Sequence, residues 1–280
     1  MSGPMLRRVG FRTGLAWLPA GAERLAANVR PLLGVASLWL LVSLLASLIP
    51  LLGQLTLMVL TPLLTAGLML AFDRLGVGAA ITPGMLFAAW SDPGRRGSLI
   101  GLGVVSLAGT VLAALLFVGW LTAQIDPALL EANLDNPQAL AELLSGQSFG
   151  PGLLMAMSLF LFIMACLFFA VPLVMFGGLP MGRSITASLT ACLQNLTAML
   201  GLLLATIALG MAMGIILAIV LPFLSLALGQ FGAFLAQLVM MAATLFVQLV
   251  LTGAQYQAFR DVWGWEPRPD SGPGDDQLLA

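Results

Sequence analysis

Four glutamines toward the C-terminus, Gln230, Gln237, Gln248 and Gln255, stand 7, 11 and 7 residues apart. At about 100° per residue, each step brings the side chain back to within roughly 20° of one azimuth. Thr244 falls on the same line, with Phe234, Met241 and Phe259 close to it. An amide carries two donors and one acceptor and exchanges no proton near neutrality. Its chemistry is therefore hydrogen bonding: glue between helices, or the lining of a path for a lipid or neutral solute. The other faces of residues 230–259 are apolar and carry no charge. In a membrane-spanning helix, an amide turned to lipid would leave its donors and acceptor unpaired. The stripe thus marks the side that faces other helices or a wet cavity. A second pattern, Gly210, Gly214 and Ala218, forms a small-xxx-small face that lets another backbone come close.

Reactive groups are scarce. The chain has no histidine and no lysine; its 11 basic residues are all arginine. The usual bases for a Ser or Cys nucleophile are absent. Every carboxylate reads as part of a loop, a surface segment or the tail, and no Gly-rich phosphate loop follows a strand. Cys166 and Cys192 lie in separate elements, so neither a disulfide nor a metal site is expected. The sequence therefore points to no catalytic, cofactor or metal-binding residue and to a protein that is not an enzyme. An ion-coupled transporter would place ionisable groups inside its spans, and the uncharged stretches hold none. A net charge of −1 gives no reason to expect a nucleic-acid partner.

The elements that must position the stripe follow from composition. Of 280 residues, 60% are hydrophobic and 8% charged, with mean hydropathy +1.04; soluble domains average about 25% charged. A crossing needs about 20 apolar residues. The 42 uncharged residues between Arg30 and Asp73 provide two, turning at Ile49-Pro50-Leu51-Leu52-Gly53. Arg96 to Asp126 encloses a third, and Glu142 to Arg183 a fourth with Pro172 as a kink. The 76 uncharged residues from Arg183 to Arg260 provide two more, broken at Leu221-Pro222 and Gly229. This predicts an all-α polytopic membrane protein with six spans, near 31–49, 54–72, 98–121, 152–176, 196–220 and 230–256. The 30 mostly polar or small residues ahead of the first span do not read as a cleaved signal peptide.

With six spans, every arginine falls on one side, while the loop 122–150 holds Asp126, Glu131, Asp135 and Glu142 and no arginine. Arginine marks the cytoplasmic side, so both termini are expected there and the acidic loop outside. Trp17, Trp90, Trp120, Trp263 and Trp265 lie near span ends, where indole rings prefer the interface. Asp126-Pro127 and Asn136-Pro137 each pair a capping residue with a first-turn proline, predicting two short helices in the outer loop. The tail 266–280 is rich in Pro, Gly, Asp and Ser and is expected to be disordered.

Leu18-Pro19-Ala20-Gly21 and Leu179-Pro180-Met181-Gly182 each precede a one-sided apolar stretch, and Thr82-Pro83-Gly84 opens a shorter version. Each reads as an interfacial helix feeding a span. The endings Ala71-Phe72-Asp73-Arg74 and Ala258-Phe259-Arg260-Asp261 are also alike. Together they suggest a repeat of interfacial helix plus two-span hairpin. The Leu-Pro-x-Gly helix, the hairpin after it and the ending Ala-Phe-Arg-Asp-Val-Trp resemble a group of six-span bacterial inner-membrane proteins. A looser similarity is to the membrane domain of some glycerophosphodiester phosphodiesterases, which implies a membrane-lipid setting; their catalytic domain has no counterpart here. The expectation is a bacterial inner-membrane accessory or scaffold acting through lipids, a partner membrane protein or a second copy. The alternative is a transporter of a lipid or neutral small solute.

Overall fold

The computed structural model describes residues 6–126, 129, 131, 133, 138 and 148–267, and these are helical apart from short connections. In chain order the elements are α1 (Phe11–Ala27), α2 (Val29–Ser47), α3 (Leu52–Gly76), a 3₁₀ helix (Pro83–Trp90), α4 (Pro93–Thr122), α5 (Gly150–Phe168), α6 (Ala170–Gly177), α7 (Met181–Gln194) and α8 (Leu196–Trp263). Among the described residues, five stretches are long and apolar enough to cross a membrane: α2, α3, α4, α5 with α6, and α8. This is a helical membrane protein. The two outer-loop helices expected after Asp126 and Asn136 lie largely outside the described residues, and the tail lies outside them from 268 on.

The 68 residues of α8 do not run straight. Gly229 has φ 55° and ψ −132°, a conformation open to glycine and strained for other residues. A Cβ on Gly232 would overlap the carbonyl oxygen of Leu224, although eight residues of unbroken helix would put about 12 Å between them. The helix therefore doubles back at Gly229 into two antiparallel arms, 196–228 and 230–263. Pro222, expected to share in the break, sits inside the first arm.

The expected interfacial helices are separate elements, not straight extensions of the spans. Asn28 (φ −137°, ψ 40°) separates α1 from α2, and Asn195 (φ −116°, ψ 31°) separates α7 from α8. Both bends use one device. The side-chain amide donates to the carbonyl four residues back, Asn28 to Arg24 at 3.2 Å and Asn195 to Ala191 at 3.0 Å. At the third junction the Asp92 carboxylate caps α4 by accepting from the backbone N–H groups of Gly94 and Arg95. One expectation is corrected: α1 begins at Phe11, so Pro19 lies inside the helix and does not open it. Packing overrides the local signal, because Gly14 and Gly21 press that helix onto the backbone of α8.

The three short helices each pack closely on a long helix. A Cβ on Gly21 of α1 would come within 2.6 Å of the Ala254 nitrogen, in the second arm of α8. Gly67 of α3 similarly admits the backbone of Leu86 from the 3₁₀ helix. The Ser188 hydroxyl of α7 donates to the Ala165 carbonyl of α5 at 2.8 Å and accepts from the Phe169 N–H at 2.9 Å. Each short helix thus lies on the second half of the preceding hairpin, and α1 closes the circle by lying on the last. The Ser188 hydroxyl stands between two backbone groups four residues apart, inside the ladder of the fourth span. That insertion, together with Pro172, accounts for the break at Phe169 that separates α5 from α6.

Packing is concentrated at one end. Phe72, Phe176 and Phe259, one from each hairpin, meet there with Tyr256 and Trp265. The Phe176 ring centroid is 5.7 Å from Phe259, 6.1 Å from Tyr256 and 5.1 Å from Trp265. At the opposite end apolar side chains face outward: Leu226 is 87% exposed, with Ile219, Phe223 and Leu154 also open.

Candidate functional site

The glutamine stripe divides into three parts. Gln230, beside the reversal at Gly229, is exposed. Gln237, Thr244 and Gln248 line one cleft of about 270 Å³ with Met240 and Met241, facing Trp39, Leu40 and Ser43 of α2. Neither the Gln237 nor the Gln248 amide has a hydrogen-bonding partner among the described residues. The Thr244 and Ser43 hydroxyls donate within their own helices, to Met240 and Trp39. Gln255, lower on the same arm, behaves differently. Its side-chain N–H donates to the Phe168 carbonyl at 2.5 Å. That carbonyl lies four residues before Pro172, which has no N–H to offer it. Gln255 is therefore glue at a proline break, whereas Gln237 and Gln248 face open volume.

A Cβ on Gly210 or Gly214 would meet nothing within 4 Å, and Ala218 is exposed with them. This small-residue face meets no other helix among the described residues.

At the packed end lies a polar network that the sequence concealed. Asp73 is 1% exposed, where a charge at the end of a span reads as a surface residue. Its Oδ1 accepts from the Tyr256 hydroxyl and from the Trp265 indole N–H, each at 2.7 Å. The Arg24 guanidinium lies 5.6 Å from the centre of the Tyr256 ring. Burial, with repulsion from Arg260, lowers the Arg24 pKa from its ordinary value. Asp261 accepts from the Trp17 indole at 2.8 Å and from the Gln257 amide at 3.0 Å. These contacts tie α1, α3 and the second arm of α8 together, and the only early hint was the likeness between the Asp73 and Asp261 surroundings.

No family model, curated protein or solved structure matches this chain. The chemistry must be read from its own geometry.

The two cysteines are free and buried beside each other's helices, Cys192 donating to the Ala165 carbonyl at 3.5 Å. Burial, with the neighbouring Cys166, pushes the Cys192 thiol up to about 12, so it is a packing residue and a poor nucleophile. A third feature is an arginine-lined pocket of about 510 Å³ where the segment before α1 meets the end of α8. Arg7, Arg8 and Arg260 converge there, with Asp261 and Glu266 on the same wall; in the sequence these arginines mark sidedness alone. Within the described residues the arrangement offers neutral hydrogen bonding in the cleft and positive charge at the pocket.

Proposed function

We propose that this protein is a non-enzymatic, six-span accessory of a bacterial inner membrane, and that it acts by holding a lipid or neutral amphiphile in the cleft between α2 and the second arm of α8. The observation that carries this reading is that the Gln237 and Gln248 amides face one volume with Thr244 and bond to no neighbouring helix, while Gln255 on the same stripe donates across to Phe168. About 270 Å³ is the share of roughly nine waters in the liquid, enough for part of an acyl chain or a small polar head. Methionine and indole walls accept apolar surface, and the amides supply orientation.

The two arms of α8 count as two crossings, which puts the arginines of both termini on one side, the cytoplasm, with Ser148 outside. The recurring order of short helix and hairpin is a three-fold repeat around the Phe72, Phe176 and Phe259 centre, supported by the cyclic packing and the paired Asn28 and Asn195 bends. The second reading, transport of a lipid or neutral solute, is favoured by the same shared cleft.

The test is lipid and small-molecule mass spectrometry on protein purified in mild detergent. The wild type should retain a bound amphiphile that Q237L/Q248L loses while the variant stays folded. Equal retention by both would remove the cleft from any role. Single cysteines at Ser2 and Ser148 check sidedness: an impermeant thiol reagent should label the second in intact cells and spare the first.

A further inference from the structure

We propose that the arginine pocket at the end of α8 binds a phosphate group, and that an anionic lipid headgroup presents it. The pocket is separate from the cleft and does not depend on it; loss of one reading leaves the other standing.

Three guanidinium groups, from Arg7, Arg8 and Arg260, line about 510 Å³, and none forms an ion pair among the described residues. The carboxylate nearest in sequence, Asp261, already accepts one bond at each oxygen, from Trp17 and Gln257. Arg260 uses its Nε toward the Trp265 carbonyl at 3.4 Å, which leaves its two terminal nitrogens for a ligand. Asp261 and Glu266 also line the pocket, but neither forms an ion pair with these arginines among the described residues; three guanidinium groups against two carboxylates leave a net positive charge that an anion complements. Guanidinium matches phosphate because its parallel N–H groups meet two oxygens at once.

The site is held in place. The Arg7 backbone N–H donates to the Val262 carbonyl at 2.9 Å, and the Val9 N–H donates to the Asn195 side chain at 2.7 Å. These two bonds clamp the extended segment 6–10 between the last and first turns of α8. Gly264, at φ 62°, lies under the Arg7 guanidinium, and a Cβ there would approach Nη2 to 2.9 Å. A side chain at 264 would displace the guanidinium that the glycine admits.

The setting selects the source of the phosphate. Phe11 and Leu15 are 41% and 37% exposed on α1 beside the pocket, at the arginine-bearing end of the spans. Apolar side chains next to unpaired arginines suit headgroup depth, where acyl chains begin and phosphates lie.

The experiment uses the full chain in nanodiscs of mixed phosphatidylglycerol and phosphatidylcholine, followed by native mass spectrometry of the released protein. Wild type should retain phosphatidylglycerol preferentially. Arg7→Gln with Arg8→Gln should lower that preference by about tenfold or more, as expected for losing charge-assisted bonds. Arg183→Gln, which removes an exposed arginine outside the pocket, should leave it unchanged, and Arg7→Lys should fall between. Inorganic phosphate at millimolar concentration forms the second arm. Competition with the lipid locates the phosphate chemistry in this pocket and assigns a soluble source as well; no competition assigns the lipid alone. Equal retention of the two lipids by wild type, or a loss in Arg183→Gln as large as in the double variant, would overturn the proposal.

Discussion

Replacing Ser188 by alanine tests how the fourth span is broken. The Ser188 hydroxyl gives its proton to the Ala165 carbonyl at 2.8 Å and takes the Phe169 N–H at 2.9 Å, and the residue is 0% exposed. Alanine removes both bonds, and the two backbone groups can pair with each other only if α5 and α6 straighten across Phe169. Straightening is opposed by Pro172, whose ring crowds the Phe168 carbonyl, and by the Gln255 bond to that same oxygen. An orphaned buried polar group costs about 1–3 kcal/mol; bonds between membrane helices average about 0.6 and reach about 1.7 kcal/mol. Two lost bonds with partial relaxation give a loss of about 2 kcal/mol, roughly thirtyfold in the folding constant. Ser184 is the control. It lies on the same helix, is also 0% exposed, and donates only within that helix, to Met181 at 2.8 Å. Its alanine variant should lose less than about 1 kcal/mol. The assay is reversible unfolding in mixed micelles of increasing dodecyl sulfate fraction. If S188A unfolds with wild type, or no earlier than S184A, the hydroxyl does not hold the break open.

Q255L should cost about 1 kcal/mol in wild type and much less in a P172A background, where residue 172 can again donate to Phe168; an additive double-mutant cycle would refute the pairing. D73A strands the Tyr256 hydroxyl and the Trp265 indole and should destabilise by about 2–4 kcal/mol in the same assay. D73N, which keeps an acceptor oxygen, should lose less than D73A, and the reverse order would contradict a structural role. Iodoacetamide at pH 8.5 should leave Cys192 unmodified in folded protein, because a thiol pushed up to about 12 is below about one part in a thousand ionised there; rapid labelling before unfolding would show that it is not buried.

The bilayer-crossing elements were legible because charge is so rare. Gaps between Arg30, Asp73, Arg96, Asp126, Arg183 and Arg260 mark out the long helices, although α8 starts only at Leu196, well past Arg183. Helical periodicity also placed Gln237, Thr244 and Gln248 on one face, and they do share one cleft. It could not say that Gln255 on that face would meet a carbonyl orphaned by a proline 83 residues earlier, since that match is made by two spans docking. Pro19 was misleading for a related reason. A proline after a leucine signals a helix start locally, but the glycines at 14 and 21 gain more by laying a longer helix on α8. Asp73 escaped notice because a charge at a span end normally faces water, and only the fold brings Tyr256 and Trp265 over it.

The closure of the circle by α1 sets an order of events during synthesis. The groove that receives Gly14 and Gly21 is built from Ala198, Val250, Gly253 and Ala254, at the far end of the chain. Translation at about 5–20 residues per second puts roughly 10–50 s between the two. Through that interval the face of α1 bearing Trp17, Leu18 and Leu25, buried in the finished protein, has no docking partner. The ribosome-bound chain therefore carries an undocked apolar helix until the residues of that groove have been made. Because α1 is made well before the groove that holds it, truncation ahead of Val250 should leave a chain in which α1 cannot latch.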